Sequence, residues 1–252
     1  MEAVQARFNF EGNVKLGGNI ATWSVLFGDA TYDTPYGPVK GTCTGVCEFC
    51  GHPQPGKKRP PCYVAKSYRQ PDVIKGHARN TLALREDPQK AFADLDGQLS
   101  RKRKPVDGLR WNQSGEIENL EQFRGMTWLS GRHEETPAWV YTKQYGVVVP
   151  ELLKHGAPDN FTTLISIWHE QGIEEYKRLA HLPNVKAFVY LDPNKPGGWG
   201  IEEYAAHGII IQTLCHAYNE KGKLNHDVTC NVCTKCFNRL PNCKVIGCYD
   251  HG

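Results

Sequence analysis

The sequence predicts an α/β fold, and three observations carry that prediction. Short apolar runs rich in β-branched and aromatic residues alternate with longer amphipathic segments along 252 residues, the order that right-handed βαβ units produce. Most of these runs are apolar throughout, as in Ala187-Phe188-Val189-Tyr190-Leu191 and Gly208-Ile209-Ile210-Ile211, where a strand with one wet face would alternate. Six such runs fall short of the eight strands of a closed barrel, so the expected architecture is a partial (β/α)6 TIM-like barrel with a cysteine-rich C-terminal extension. A flat doubly wound sheet is the alternative that spacing leaves open.

The strands are expected at Ile20–Phe27, Gly108–Trp111, Ala138–Thr142, Thr162–Ile167, Lys186–Leu191 and Gly208–Leu214. Asp72–Leu84 reads as a helix beginning on an Asp cap, and Pro88–Ser100 as one that follows Asp87 with proline in its first turn. Further helices are expected at Glu118–Leu129, Glu170–His181 and Ile201–Ala206. Gly51–Pro61 and Asp192–Gly200 are Pro/Gly-rich loops. Residues 1–214 would form the barrel, with a ligand-bearing loop at 43–62, and residues 215–252 the extension.

Composition narrows the function. No apolar run approaches the ~18 residues a membrane-spanning helix needs, and Met1–Phe10 carries Glu2 and Arg7 in place of a signal-peptide core. A cytoplasmic protein without a membrane partner is expected. The net charge of +3 neither announces nor excludes a nucleic-acid partner. The ten cysteines inform more: they fall at Cys43–Cys62 and Cys215–Cys248, with none between. In a reducing compartment such grouping favours metal or cluster ligation over disulfides.

The first group reads Cys43-Thr44-Gly45-Val46-Cys47-Glu48-Phe49-Cys50, a C-x3-C-x2-C loop after the first expected strand. Three thiolates can wrap three corners of a cubane cluster and leave one iron open, as open coordination serves catalytic metal sites. A zinc knuckle completed by His52 or Cys62 is the structural alternative. The loop resembles the signature of the radical S-adenosylmethionine (SAM) superfamily. That resemblance implies a [4Fe–4S] cluster on Cys43, Cys47 and Cys50, SAM on the open iron, and reductive cleavage to a 5′-deoxyadenosyl radical. It places Phe49 near the adenine and implies a reductase, flavodoxin or ferredoxin as electron donor. Cys62-Tyr63 also resembles the end of such a loop; Cys50 is preferred because it gives the usual spacing.

After the second expected strand comes Ser114-Gly115-Glu116, similar to the Gly-Gly-Glu-Pro-like turn that holds the SAM ammonium in that superfamily. Ser replaces the first Gly, and Ile117 the Pro. Glycine permits close backbone approach, and a carboxylate is the natural partner of an ammonium. An ordinary helix-start turn is the plainer reading.

The second group reads Cys230-Asn231-Val232-Cys233-Thr234-Lys235-Cys236, the compact run by which bacterial ferredoxins supply three cluster ligands. Cys215 is the favoured fourth ligand, with Cys243 and Cys248 as alternatives. A second [4Fe–4S] cluster is favoured over a closed zinc site, because zinc ribbons usually pair two C-x2-C knuckles.

Taken end to end, the chain resembles the phage-encoded "gene product eighty-eight" family. The stretches that carry this are Lys15-Leu16-Gly17-Gly18-Asn19-Ile20, Cys62-Tyr63-Val64-Ala65, Arg79-Asn80, Leu109-Arg110-Trp111 through Glu116, Val140-Tyr141-Thr142-Lys143, Cys230–Cys236 and His251.

Other candidates are weaker. Lys143, ending the third strand, could pair with the SAM carboxylate. Ser166 could bind ribose, His169 could move protons, and Gln212 and Thr213 could contact adenine or substrate. Arg79 could grip an anion through its planar fork. The basic runs Lys57-Lys58-Arg59 and Arg101-Lys102-Arg103-Lys104 could track phosphates, with Tyr63, Tyr68, Trp111 or Trp128 stacking bases. The expectation is therefore a radical-SAM enzyme acting on a nucleobase or modified nucleotide. A radical peptide-modifying enzyme or a non-catalytic, zinc-stapled nucleic-acid-binding protein are the alternatives.

Overall fold

A computed structural model describes residues 4–11, 15–43, 62–194, 197–218, 225, 227–238 and 243–249. Its frame is a seven-stranded, wholly parallel sheet. The strands are β1 (Ile20–Thr22), β4 (Gly108–Trp111), β5 (Ala138–Thr142), β6 (Phe161–Ile167), β7 (Val185–Leu191), β8 (Thr213–Leu214) and β9 (Val245–Tyr249). They lie in the order β1-β4-β5-β6-β7-β9-β8, and the sheet is open. A small antiparallel hairpin, β2 (Thr31–Thr34) with β3 (Gly37–Lys40), rises from the connection after β1.

The first five parallel strands follow one another in chain order. A doubly wound sheet would reverse direction partway, so the winding is one-directional and the helices gather on one face. These are α1 (Pro71–Glu86), α2 (Pro88–Ser100), α3 (Leu120–Arg132), α4 (Tyr145–His155), α5 (Ile173–Leu179) and α6 (Ile201–Ala206). Alternate strand residues such as Ala21, Leu109, Trp111, Val140, Ile165 and Val189 bury against them in the main core. Trp23 meets Trp111 edge-on at 5.7 Å, and the Trp111 indole donates to Ser130 Oγ at 3.1 Å, so the buried N–H is satisfied.

Local chemistry explains the element ends. Asp87 caps α2 by accepting from Lys90 N at 2.9 Å, and Asn119 caps α3 by accepting from Gln122 N at 2.9 Å. The Asn160 amide closes the far end of α3 by donating to Ser130 O and Thr136 O. At α1 the expected Asp72 cap is corrected: the cap position is Gln70, without a side-chain bond, and Pro71 opens the helix with Asp72 in its first turn.

Four further differences separate sequence from structure. The expected strand Ile20–Phe27 stops at Thr22, because from Val25 onward the chain bonds outside the sheet, Val25 N to Ser114 O in the turn after β4 and Leu26 N to Thr81 Oγ1 of α1. Gly208–Leu214 pairs only at Thr213–Leu214, and Ile210 is 63% exposed. Helix α4 was not anticipated, since Pro150 interrupts its pattern. Strand β9 was not anticipated either, and it inserts between β7 and β8. Among the described residues no helix is long and apolar enough to cross a membrane.

Candidate functional site

Open parallel sheets bind ligands outside the carboxyl ends of their strands, and there three neighbouring segments are laced together. Thr42 follows the hairpin, and its hydroxyl donates to Leu26 O at 2.8 Å and accepts from Glu116 N at 2.8 Å. Glu116 lies in the turn after β4. Its carboxylate accepts from Ile117 N at 2.9 Å, Thr142 Oγ1 at 2.8 Å and Lys143 N at 2.9 Å, the last two ending β5. Burial pushes the Glu116 carboxyl up, opposed by those bonds. A carboxylate offers about four lone-pair sites, so three are spent inside the chain and Glu116 first of all holds the turn. Gly115 makes the crossing possible. Its φ is +77°, and a Cβ there would stand 2.5 Å from Val25 Cγ2 and 2.7 Å from Thr42 Oγ1. Ser114 is buried beside it, its carbonyl accepting from Val25 N.

Cys43 adjoins Thr42, is buried, and donates its amide to Gly28 O at 2.9 Å. It packs in one cluster with Phe27 and Val64, flanked by Cys62 and Tyr68. Tyr68 Oη accepts from Phe27 N at 3.0 Å and sits 3.1 Å from His77 Nδ1. Thiols on a loop anchored this firmly are donors of the right softness for an iron–sulfur cluster. Cys47, Phe49 and Cys50 lie outside the described residues, as do His52 and Lys57-Lys58-Arg59.

The edge continues across β5, β6 and β7. Lys143 is buried with its ammonium 3.5 Å above the Trp168 ring. Trp168 in turn stacks on Tyr190 at 4.2 Å. His169, at the left-handed φ of 52°, places Nε2 3.0 Å from Asp192 Oδ1, which also accepts from Trp199 N at 2.8 Å. Tyr204 Oη accepts from His169 N at 2.8 Å, and the same hydroxyl donates to Tyr190 O at 2.7 Å. Ser166 is on β6, its carbonyl accepting from Tyr145 Oη.

Gln212 does not join this group. Its amide oxygen accepts from Lys244 N and Val245 N at the amino end of β9, away from the carboxyl edge. Thr213 Oγ1 accepts from Lys235 Nζ. Trp111 is fully buried and cannot stack a base, whereas Trp128 is 48% exposed. Arg79 Nε is buried with no acceptor among the described residues. Arg101–Lys104 follow α2 on the surface, with Lys102 over the Phe10 ring at 4.2 Å.

The second cysteine group covers the sheet face that the helices leave bare. Phe237 stacks on Trp139 of β5 at 4.3 Å, over a cluster of Leu16, Ile20, Leu164 and Ile246. Lys186 of β7, almost wholly buried, donates to Lys235 O and to Asn238 O at 2.6 Å, pinning the tail from below. Cys230 N and Asn231 N donate to Lys15 O and Leu16 O just before β1. Gly17 (φ +70°) leaves Asn231 room to approach: a Cβ there would stand 2.4 Å from Asn231 Oδ1.

Cys215, Cys230, Cys233 and Cys236 thereby line one open cavity with Lys15 and Tyr141, of about 20 Å³. Among the described residues no three His, Cys, Asp or Glu side chains converge as a single-ion group. Cys248 of β9 was read from sequence only as an alternative ligand or a buried thiol; here it hydrogen-bonds Cys215. That bond pulls Cys215 down to about 6, with Lys15 helping and burial opposing. Burial pushes Cys230 upward, and Cys236 to about 12, although the Tyr141 hydroxyl bonds Cys236. The signal for Cys248 lay in register: Leu214 pairs with Gly247, so the next residues are Cys215 and Cys248.

A family model described as Gene product 88 matches residues 6–250 of the chain. No curated protein and no solved structure matches it significantly.

Proposed function

We propose that this chain, which belongs to the Gene product 88 family, is a radical-SAM enzyme with its reaction site at the carboxyl edge of the sheet. The observation that carries the reading is the Thr42–Glu116–Lys143 lacing. It brings the residue beside Cys43, the turn after β4 and the end of β5 to one locus. One-directional winding of parallel strands supports a further step, that the sheet is a partial (β/α)6 TIM-like barrel with β9 added.

In this reading Cys43, Cys47 and Cys50 hold a [4Fe–4S] cluster and SAM lies along the edge. When bound, the pair would supply a 5′-deoxyadenosyl radical by reductive cleavage, with a flavodoxin, ferredoxin or reductase as electron source. The chain's own residues do the rest. Gly115 lets the backbone come close, and Ser114 and Glu116 present the turn to the methionine end. The buried Lys143 ammonium is a partner for a carboxylate, and Phe49 and Ser166 serve adenine and ribose. Glu116 positions the turn and Lys143 by tying the end of β4 to the end of β5. His169, oriented by Asp192, holds a proton at the same edge. A nucleobase or modified nucleotide is the proposed substrate, in a cytoplasmic setting.

The test is anaerobic purification followed by incubation with SAM and dithionite. Release of 5′-deoxyadenosine is expected; Cys50→Ala should abolish it and Cys62→Ala should not. A colourless protein with stoichiometric zinc and no release would overturn the proposal in favour of a zinc-stapled binding protein. Loss of release in Cys62→Ala alone would overturn the ligand assignment.

A further inference from the structure

The tail cysteines raise a question separate from the 43–50 loop. Four thiols from a strand end and a short helix, α7 (Cys230–Cys233), face one cavity on the bare side of the sheet. A tetrahedral zinc ion with Zn–S bonds of ~2.3 Å needs its sulfurs within about 4 Å of one another. Described residues offer no such convergence, yet the four thiols line a common space. A cubane cluster sets its thiolate sulfurs several ångströms farther apart, because the metal–sulfide core lies between them.

Charge fits as well. Four thiolates on a [4Fe–4S] core carry net negative charge, costly away from water unless compensated. Lys15 lines the cavity, and the Arg110 guanidinium lies over the Tyr141 ring at 4.7 Å on the same side. Tyr141 bonds Cys236, the kind of outer contact that tunes a cluster's potential.

From this geometry we infer that Cys215, Cys230, Cys233 and Cys236 hold a polynuclear iron–sulfur cluster, with Tyr141 hydrogen-bonded to its Cys236 corner. Tyr141 on β5 and Lys143 just past its end are two residues apart, roughly 7 Å along the chain. The cluster therefore lies directly below the carboxyl edge, within electron-transfer reach of whatever binds there. The inference stands apart from the radical-SAM reading, since it uses none of the 43–50 ligands.

The experiment removes those ligands first. The full chain carrying Cys43→Ala, Cys47→Ala and Cys50→Ala is purified anaerobically, reconstituted with ferrous iron and sulfide, and assayed for iron, sulfide and zinc. About four irons and four sulfides per chain are expected. Adding Cys236→Ser should remove them while circular dichroism stays folded, and Cys243→Ser should not. Tyr141→Phe should keep the iron and shift the reduction potential. One zinc without sulfide would overturn the inference, as would metal-free protein with an unchanged fold. Loss of iron in Cys243→Ser would overturn the ligand set. Failure of SAM cleavage in the intact protein, with iron retained here, would count against the edge site alone.

Discussion

Lowering the pH should weaken the anchor of the Cys43 loop through one histidine. His77 lies on α1 with Nδ1 3.1 Å from the Tyr68 hydroxyl. That oxygen also accepts from Phe27 N, which leaves the hydroxyl able to donate to Nδ1 of a neutral imidazole. Burial first, and Arg79 second, lower His77 from its ordinary 6.5 to about 4. A depressed histidine stabilises the fold fully above the unfolded value, and that stability is lost as pH falls from 6.5 towards 4. The loss at pH 5 is about 2 kcal/mol, rising to about 3 kcal/mol below pH 4. Urea unfolding followed by tryptophan fluorescence at pH 7.5 and 5.0 measures it, with His77→Gln as the reference. The wild type should lose about 2 kcal/mol more than the variant between the two conditions. Equal losses in both proteins would refute the reasoning.

Three substitutions extend the same logic. Gly115→Ala forces a side chain to φ +77° against Val25 and Thr42 and should cost more than about 1 kcal/mol in chemical denaturation. Glu116→Gln turns an N–H₂ towards at least one of the three donors it now accepts, a loss of about 1–3 kcal/mol read from the urea midpoint. Phe237→Ala empties the stack on Trp139; about 3 kcal/mol of stability should go, with a red shift of the Trp139 emission.

Legibility in the sequence followed the range of the forces involved. Gly108–Trp111, Ala138–Thr142, Pro88–Ser100 and Ile201–Ala206 were readable to the residue, because burial pattern and caps are local. Strand β9 was not: Val245-Ile246-Gly247-Cys248-Tyr249 contains only two β-branched residues, and its neighbours β7 and β8 are distant in sequence. Ile209–Ile211 misled in the opposite way, since an apolar run becomes strand only where a partner is in register, and pairing with β9 begins at Thr213. Cys215 and Cys230–Cys236 line one cavity, and a strand end with a connection long enough to loop back was the reason to group Cys215 with the run. Spacing held no hint that the locus would be a sheet face, or that His169 would meet Asp192. Both depend on crossovers bringing together strand positions far apart in the chain.

Placing the 245–249 segment between β7 and β8 sets a timetable for the nascent protein. A ribosome can emit the first five parallel strands and their helices in working order, yet β8 lacks its sheet partner until residues 245–249 emerge. Insertion of that late strand then fastens both ends of the 215–244 stretch at adjacent places in the sheet. The cysteine-lined cavity is therefore complete only once β9 has been made. Removing β9 would cost far more than a frayed edge, because it opens a gap in the interior of the sheet.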